Sequence, residues 1–116
     1  MMHKLASKYM VLADSELDYG RPVNRYGHLM GITIDGSAKD TRDFFDALDR
    51  IWRATDLGRI KSCATIPAIS THLQQGEAGR KLAGIPPNLI RLCVGAEHPD
   101  DVIADLDQAL FAAQRK

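Results

Sequence analysis

Gly84-Ile85-Pro86-Pro87-Asn88-Leu89-Ile90-Arg91-Leu92-Cys93-Val94-Gly95-Ala96-Glu97 reads as a turn, a strand and a tight exit, and Pro99 then opens a helix. Side chains alternate along a strand, so Ile90, Leu92 and Val94 share one face and Leu89, Arg91 and Cys93 the other. An arginine inside an apolar run costs stability unless it has a partner. Its planar fork suits bidentate capture of a carboxylate. The pattern also allows an exposed sheet-face arginine, or one paired with an internal acid, and spacing alone favours that blander reading.

The helix that follows is expected from Pro99 to about Gln114. Proline suits the first helical position, and Asp100 and Asp101 suit the positive helix end. Val102, Ile103, Leu106, Leu110 and Ala113 form its expected buried stripe, with His98 as a helix-start residue.

Working back, Glu77 to Ala83 reads as a short helix ended by Gly84. Ile60 to Ile66 reads as a strand closed by Pro67, and Ala68 to Leu73 as a loop or short extended piece. Ser37 is a helix N-cap, with Asp40 completing a weaker capping box. Thr41, Phe45, Leu48, Trp52 and Thr55 fall at helical spacing, widened by Phe44 and Ile51. They predict an amphipathic helix of about four to five turns ended near Gly58. Leu29 to Ile34 is a strand stopped at Asp35-Gly36. Residues 1–27 form an arm or linker: Leu5 and Tyr9–Leu12 are a small apolar cluster, and the polar stretch from Ala13 to Tyr26 is broken by Gly20 and Pro22. The remainder, 28–116, is one domain. Its order of strand, helix, strand, short helix, strand and helix predicts an α+β fold: a two-layer sandwich with a small, mainly antiparallel sheet and helices on one face.

Composition narrows the function. At 116 residues the chain is long enough for a core. Its 15 basic and 15 acidic residues cancel, which argues against nucleic acid and a membrane surface as partners. No apolar run approaches bilayer length, and the start lacks a signal-peptide pattern. Cys63 and Cys93 sit in expected strands and read as buried, reduced thiols of a cytoplasmic protein. His3, His28, His72 and His98 show no metal-ligand spacing, so no metal site is expected. His72 is expected to satisfy loop backbone groups. Gly58, Gly84 and Gly95 match no phosphate cradle and read as tight turns. Neither Lys39 nor Lys61 has the desolvated setting of a Schiff-base lysine. The residues alone thus offer a carboxylate-binding arginine and no catalytic engine.

Pro67-Ala68-Ile69-Ser70-Thr71-His72, Ala83-Gly84-Ile85, Leu89 to Glu97 and Asp100 to Leu110 resemble, in order and spacing, the C-terminal part of the Cys/Met-metabolism pyridoxal-phosphate (PLP) enzymes. That family includes cystathionine γ-synthase, cystathionine γ-lyase, methionine γ-lyase and O-acetylhomoserine sulfhydrylase. The resemblance covers about Gly27 to Ala113. It implies the small C-terminal domain of a fold-type I enzyme, and γ-elimination or γ-replacement of the trans-sulfuration type. It implies that Arg91 binds the substrate α-carboxylate. The family usually has Ser-Leu-Gly where this chain has Asp56-Leu57-Gly58, and often glutamate where it has Thr55. Those two positions lie beside the substrate, so Asp56 and Thr55 join Arg91 as substrate-binding candidates. Asp56 would either pair with Arg91 or read another donor group. In the family a lysine of a separate large domain holds PLP. Ser37-Ala38-Lys39 echoes that lysine's motif on the wrong element. The implied partners are therefore an amino-acid substrate, the missing PLP domain and further copies in a homo-oligomer, and this chain by itself is expected to lack catalytic competence. The alternative is a non-catalytic binding or oligomerisation module derived from that domain. A plainer third reading is an α+β domain that binds a small carboxylate as a regulator.

Overall fold

The computed structural model describes residues 27–115, together with Lys8 and two short strands, β1 (Leu17–Asp18) and β2 (Arg21–Pro22). The expected apolar cluster at Leu5 and Tyr9–Leu12 lies outside the described residues. β1 and β2 pair antiparallel within the polar stretch read as an arm.

The main body contains β3 (Leu29–Thr33), α1 (Ala38–Asp46), β4 (Trp52–Arg53) and β5 (Cys63–Thr65). Two 3-10 turns follow, Pro67–Ile69 and Leu73–Gln75, then α2 (Gly76–Leu82), β6 (Leu89–Cys93) and α3 (Pro99–Gln114). The sheet order is β3-β6-β5-β4. Its β3–β6 and β6–β5 pairs are antiparallel and β5–β4 is parallel. The α+β sandwich is thus present, with β6 central.

β6 shows why. Ile90 and Leu92 are 1% and 2% exposed and pack with Ala64, Phe44, Val102 and Ala109 beneath α1 and α3. Each such burial contributes about 2 kcal/mol. The other face carries Leu89, Arg91 and Cys93, with Thr65 and Cys63 beside them in register on β5 and Gly31 opposite Arg91 on β3.

Local signals fix both main helix starts. Ser37 and Asp40 form the reciprocal capping box, Asp40 N to Ser37 Oγ at 3.2 Å and Ser37 N to Asp40 Oδ2 at 2.7 Å. His98 caps α3 through Nδ1, which accepts from Asp100 N at 3.1 Å.

The expected long first helix is corrected: α1 stops at Asp46, and Trp52 enters β4 instead. The cause is Asp105, a buried carboxylate of α3. It accepts the backbone N–H groups of Asp49, Arg50 and Ile51 at 2.9, 2.9 and 2.7 Å. Gln108 Nε2 donates to Ala47 O at 2.7 Å and to Asp105 Oδ1 at 2.9 Å. These bonds satisfy, from another helix, N–H groups that a continuing helix would have used itself. The turn still buries Leu48 and Ile51. Gly58 therefore ends no helix; it lies in a loop at φ 72°.

Two smaller corrections follow. The strand expected over Ile60–Ile66 is confined to Cys63–Thr65, with Ile60 82% exposed. On α3 the buried residues are Val102, Asp105 and Ala109, whereas Ile103 and Leu110 face outward.

Burial would raise the Asp105 carboxyl, but the bonds from Asp49, Ile51, Gln108 and Arg50 outweigh it and hold the group below the usual carboxylate range. A depressed folded pKa contributes stability that is present above the unfolded value of about 4 and is lost as pH falls through the folded value. Urea unfolding of Asp105→Asn at neutral pH should show a loss of about 3 kcal/mol. The same series taken downward from about pH 5 should show a steep decline for the parent chain and a shallower one for the variant. Equal slopes would remove Asp105 as the acid-sensitive group.

Candidate substrate-facing site

Residues 54–61 cross the sheet face opposite the helices. Ala54 N donates to Ala64 O at 3.0 Å and starts this loop on the sheet. Arg91 Nη2 donates to Thr55 O at 2.7 Å. Gly58 N donates to Cys93 Sγ, and Cys63 Sγ to Asp56 O, both at 3.2 Å. The loop thereby covers both thiols.

Its far end is clasped to the exit of β6. Ser62, 1% exposed, donates N and Oγ to Glu97 at 2.8 and 2.6 Å and accepts from Gly95 N at 2.8 Å. Ala96 N donates to Ile60 O at 2.7 Å. Burial would raise the Glu97 carboxyl, but the two Ser62 bonds bring it below its ordinary value, helped by Lys61. Gly95 is required by this approach: an added Cβ would overlap Ile60 O and lie 2.6 Å from Ser62 N. Gly95 and Glu97 were visible in the sequence only as a tight strand exit, and Ser62 only as part of the strand expected over Ile60–Ile66; nothing local linked them.

Arg91 is partly buried on this face. Gly31, its partner on β3, carries no side chain there, and the Leu89 side chain packs over it, 3.3 Å from where a Cβ would stand. Thr65, its partner on β5, shares a hydrogen bond of 2.7 Å with Ser70, which in turn donates to Ile66 O at 2.7 Å. The Pro67–His72 turn is so anchored next to the arginine. Among the described residues no carboxylate oxygen lies within 4 Å of the Arg91 guanidinium. Asp56 pairs with Arg59 at 3.3 Å, both about half exposed. Of the candidates, Arg91 and Thr55 are in direct contact through the Thr55 carbonyl, and Asp56 is adjacent in the loop but turned to Arg59. Thr55 occupies a loop and not the helix expected for it.

The remaining candidates separate from this face. His72 bonds through Nδ1 to the Thr71 hydroxyl at 2.8 Å, so its ring serves a neighbouring side chain and not the backbone. Lys39 is held by Asp43 on an exposed turn of α1, and Lys61 by Glu97 at 3.6 Å. Neither presents a desolvated free amine beside Arg91. These two lysines therefore do not fit as holders of PLP beside Arg91. Among the described residues, no three metal-ligating side chains converge, and no helix is long and apolar enough to cross a membrane.

Gly95→Ala should destabilise the fold by about 3 kcal/mol. The strand exit and the loop must separate to admit the methyl group, so Gly58 and Ser62 amides should also exchange faster. Hydrogen exchange with a parallel unfolding curve checks both, and native protection at Ser62 would show that the clasp is not tight.

Comparison with known proteins places this geometry. The family model described as "Cys/Met metabolism PLP-dependent enzyme" matches residues 15–111. A homocysteine synthase of Schizosaccharomyces pombe is 35% identical over 96% of this chain and 23% of its own length. A cystathionine gamma-lyase of Bos taurus is 42% identical over 69% of this chain and 20% of its own. The structure of a cystathionine gamma synthase from Xanthomonas oryzae pv. oryzae, in complex with cystathionine, superposes with TM-score 0.70 at 32% identity, covering 75% of this chain and 22% of that one. A Campylobacter jejuni structure that contains N′-pyridoxyl-lysine-5′-monophosphate superposes with TM-score 0.68 at 36% identity, over 72% of this chain and 20% of that one. The chain thus spans less than a quarter of the length of these relatives, and by its sequence match and its α+β fold it belongs to the Cys/Met-metabolism family of PLP-dependent enzymes.

Proposed function

We propose that this chain supplies the substrate α-carboxylate clamp of a PLP-dependent sulfur amino-acid enzyme, one that carries out γ-elimination or γ-replacement of the trans-sulfuration type. The observation that carries the reading is Arg91. It sits on the sheet face away from the helices, one Nη is spent on Thr55 O, and no described carboxylate lies within 4 Å. A guanidinium held by one carbonyl keeps its other donors for a planar anion and loses little freedom when that anion binds. Thr55 acts in this scheme through its backbone, by orienting Arg91. Asp56, drawn aside by Arg59, leaves the guanidinium available and flanks the loop where a substrate side chain would pass.

PLP would be held by a separate domain and would supply the electron sink for the chemistry. The contribution of this chain is to bind and orient: a carboxylate fixed on Arg91 leaves the rest of an amino acid to be aimed by contacts elsewhere.

A second reading, a docking or self-assembly module, draws on Trp52, Leu57 and Ile60. They are 52%, 58% and 82% exposed on or beside the same face. Apolar side chains grouped this way favour a covering partner. Light scattering on the dilute chain addresses self-assembly, and a clean monomer would count against it.

The clamp is tested by grafting residues 15–111 in place of the matching segment of the S. pombe homocysteine synthase. In the graft, Arg91→Ala should lower kcat/KM about 100-fold, equivalent to about 3 kcal/mol, with PLP absorbance unchanged. Arg91→Lys should recover only part, because a point charge cannot replace the fork. Kinetics indifferent to Arg91 would remove the clamp.

A further inference from the structure

Cys63 and Cys93 are used by nothing proposed so far, yet they are the most enclosed pair on the Arg91 face. They are cross-strand partners, directly opposite on antiparallel β5 and β6, and each is 1% exposed. Both are free thiols. Each also holds the same loop: Cys63 Sγ donates to Asp56 O and Cys93 Sγ accepts from Gly58 N. Sulfur is a weak donor and a weak acceptor. The stretch from Thr55 to Gly58 is therefore attached to the sheet by two weak bonds and by the Arg91–Thr55 contact, while Arg59 lies over the Trp52 ring and the loop's ends are secured by backbone bonds from Ala54 and Ala96.

Directly opposite residues of an antiparallel pair have Cα atoms about 4.5–5.5 Å apart, inside the disulfide range of about 4.4–6.8 Å. Their Cβ atoms, about 4.5–5.5 Å apart, must draw together by roughly 0.7–1.7 Å to reach the usual disulfide value of about 3.8 Å. A bridge made this way is strained, and strained bridges are the readily reduced ones.

We infer that Cys63 and Cys93 form a reversible cross-strand disulfide, and that closing it releases the Asp56–Gly58 segment of the loop from the sheet face. The thiol that donates to Asp56 O loses its hydrogen, and the sulfur that accepts from Gly58 N turns toward its partner. Both sulfur tethers are then gone, and of the loop's middle only the Thr55 carbonyl stays held, by Arg91 at 2.7 Å. The oxidant is a low-molecular-weight disulfide such as glutathione disulfide. One cysteine thiolate attacks it, forming a mixed disulfide and expelling one glutathione thiolate. The second cysteine attacks the protein-side sulfur and expels the other. Two protein thiols are oxidised, one disulfide is reduced to two thiols, and the two thiol protons pass to the departing thiolates. Burial, then the neighbouring Cys93, raises the Cys63 thiol. Cys63 is therefore unreactive under the closed loop, and the exchange starts when the loop lifts.

The test uses the reduced chain of 116 residues without denaturant, incubated with glutathione disulfide. The expected product has lost two hydrogens by intact mass and gives a linked Cys63–Cys93 peptide in a non-reducing digest. Dithiothreitol restores the starting mass. In the oxidised form the Gly58 amide exchanges several-fold faster and trypsin cuts sooner after Arg59. Cys63→Ser and Cys93→Ser should each stop at one bound glutathione. If either variant fails to fold, the parent peptide map still decides. Thiols that react only once urea unfolds the chain would overturn the inference. So would a bridge between two chains, or a Cys63–Cys93 bridge that leaves Gly58 protection unchanged.

Discussion

One carboxylate decides how this domain is put together. Asp105 projects from the third helix into the layer between helices and accepts three consecutive backbone N–H groups from residues 49–51. Buried N–H groups must find acceptors, and here a single side chain from the far end of the chain provides them. The first helix can therefore end at Asp46, and the chain can turn under the helices and reappear as the β4 edge strand. Without that acceptor the turn would leave three donors without their partner, and the buried one, Ile51 N, would alone cost about 1–3 kcal/mol. Because β4 pairs with β5, the loop that follows is delivered onto the opposite face of the sheet.

The second constraint works on that opposite face. Residues 54–61 have no regular structure, yet they are held at both ends and in the middle. Ser62, Glu97 and Gly95 secure one end, and the glycine is needed because two backbones pass too closely for a methyl group. Arg91 and the two thiols hold the middle. Arg91 thus has a structural partner and still keeps spare donors. That combination resolves the choice left open by the bare strand pattern between an exposed arginine and an internally paired one: its partner is a neutral carbonyl, and the neighbouring acid, Asp56, is engaged by Arg59. The family to which the chain belongs is PLP-dependent, and Lys61, on the loop that crosses this face, is held by Glu97.

Legibility followed the range of each interaction. The capping box at Ser37 and Asp40, the His98 and Pro99 start of α3, and the alternation through Leu89–Cys93 all depend on neighbours within a few residues. The sequence displayed them, and with them the α+β class. The first helix was over-read because Phe44, Leu48 and Ile51 fall at helical spacing and are all buried. The period was real as a burial signal, although a turn, and not a helix, carries the last two inward. The outer side of α3 was misread for a related reason: Ile103 and Leu110 fit an apolar stripe, but the helix turns Val102, Leu106, Ala109 and Ala113 to the core and leaves those two exposed.

By itself, then, the sequence determined the helix starts, the central strand with its two faces, and an arginine that needed a partner. These are set by local dihedral preferences and by side-chain alternation, which need no knowledge of the rest of the chain. Only the tertiary structure decided where the first helix ends, which loop lies over Arg91, and that Cys63 and Cys93 stand side by side. Each of those rests on contacts between residues some 30 to 56 positions apart, and such pairings acquire an energy only when the sheet and helices have already brought the partners together.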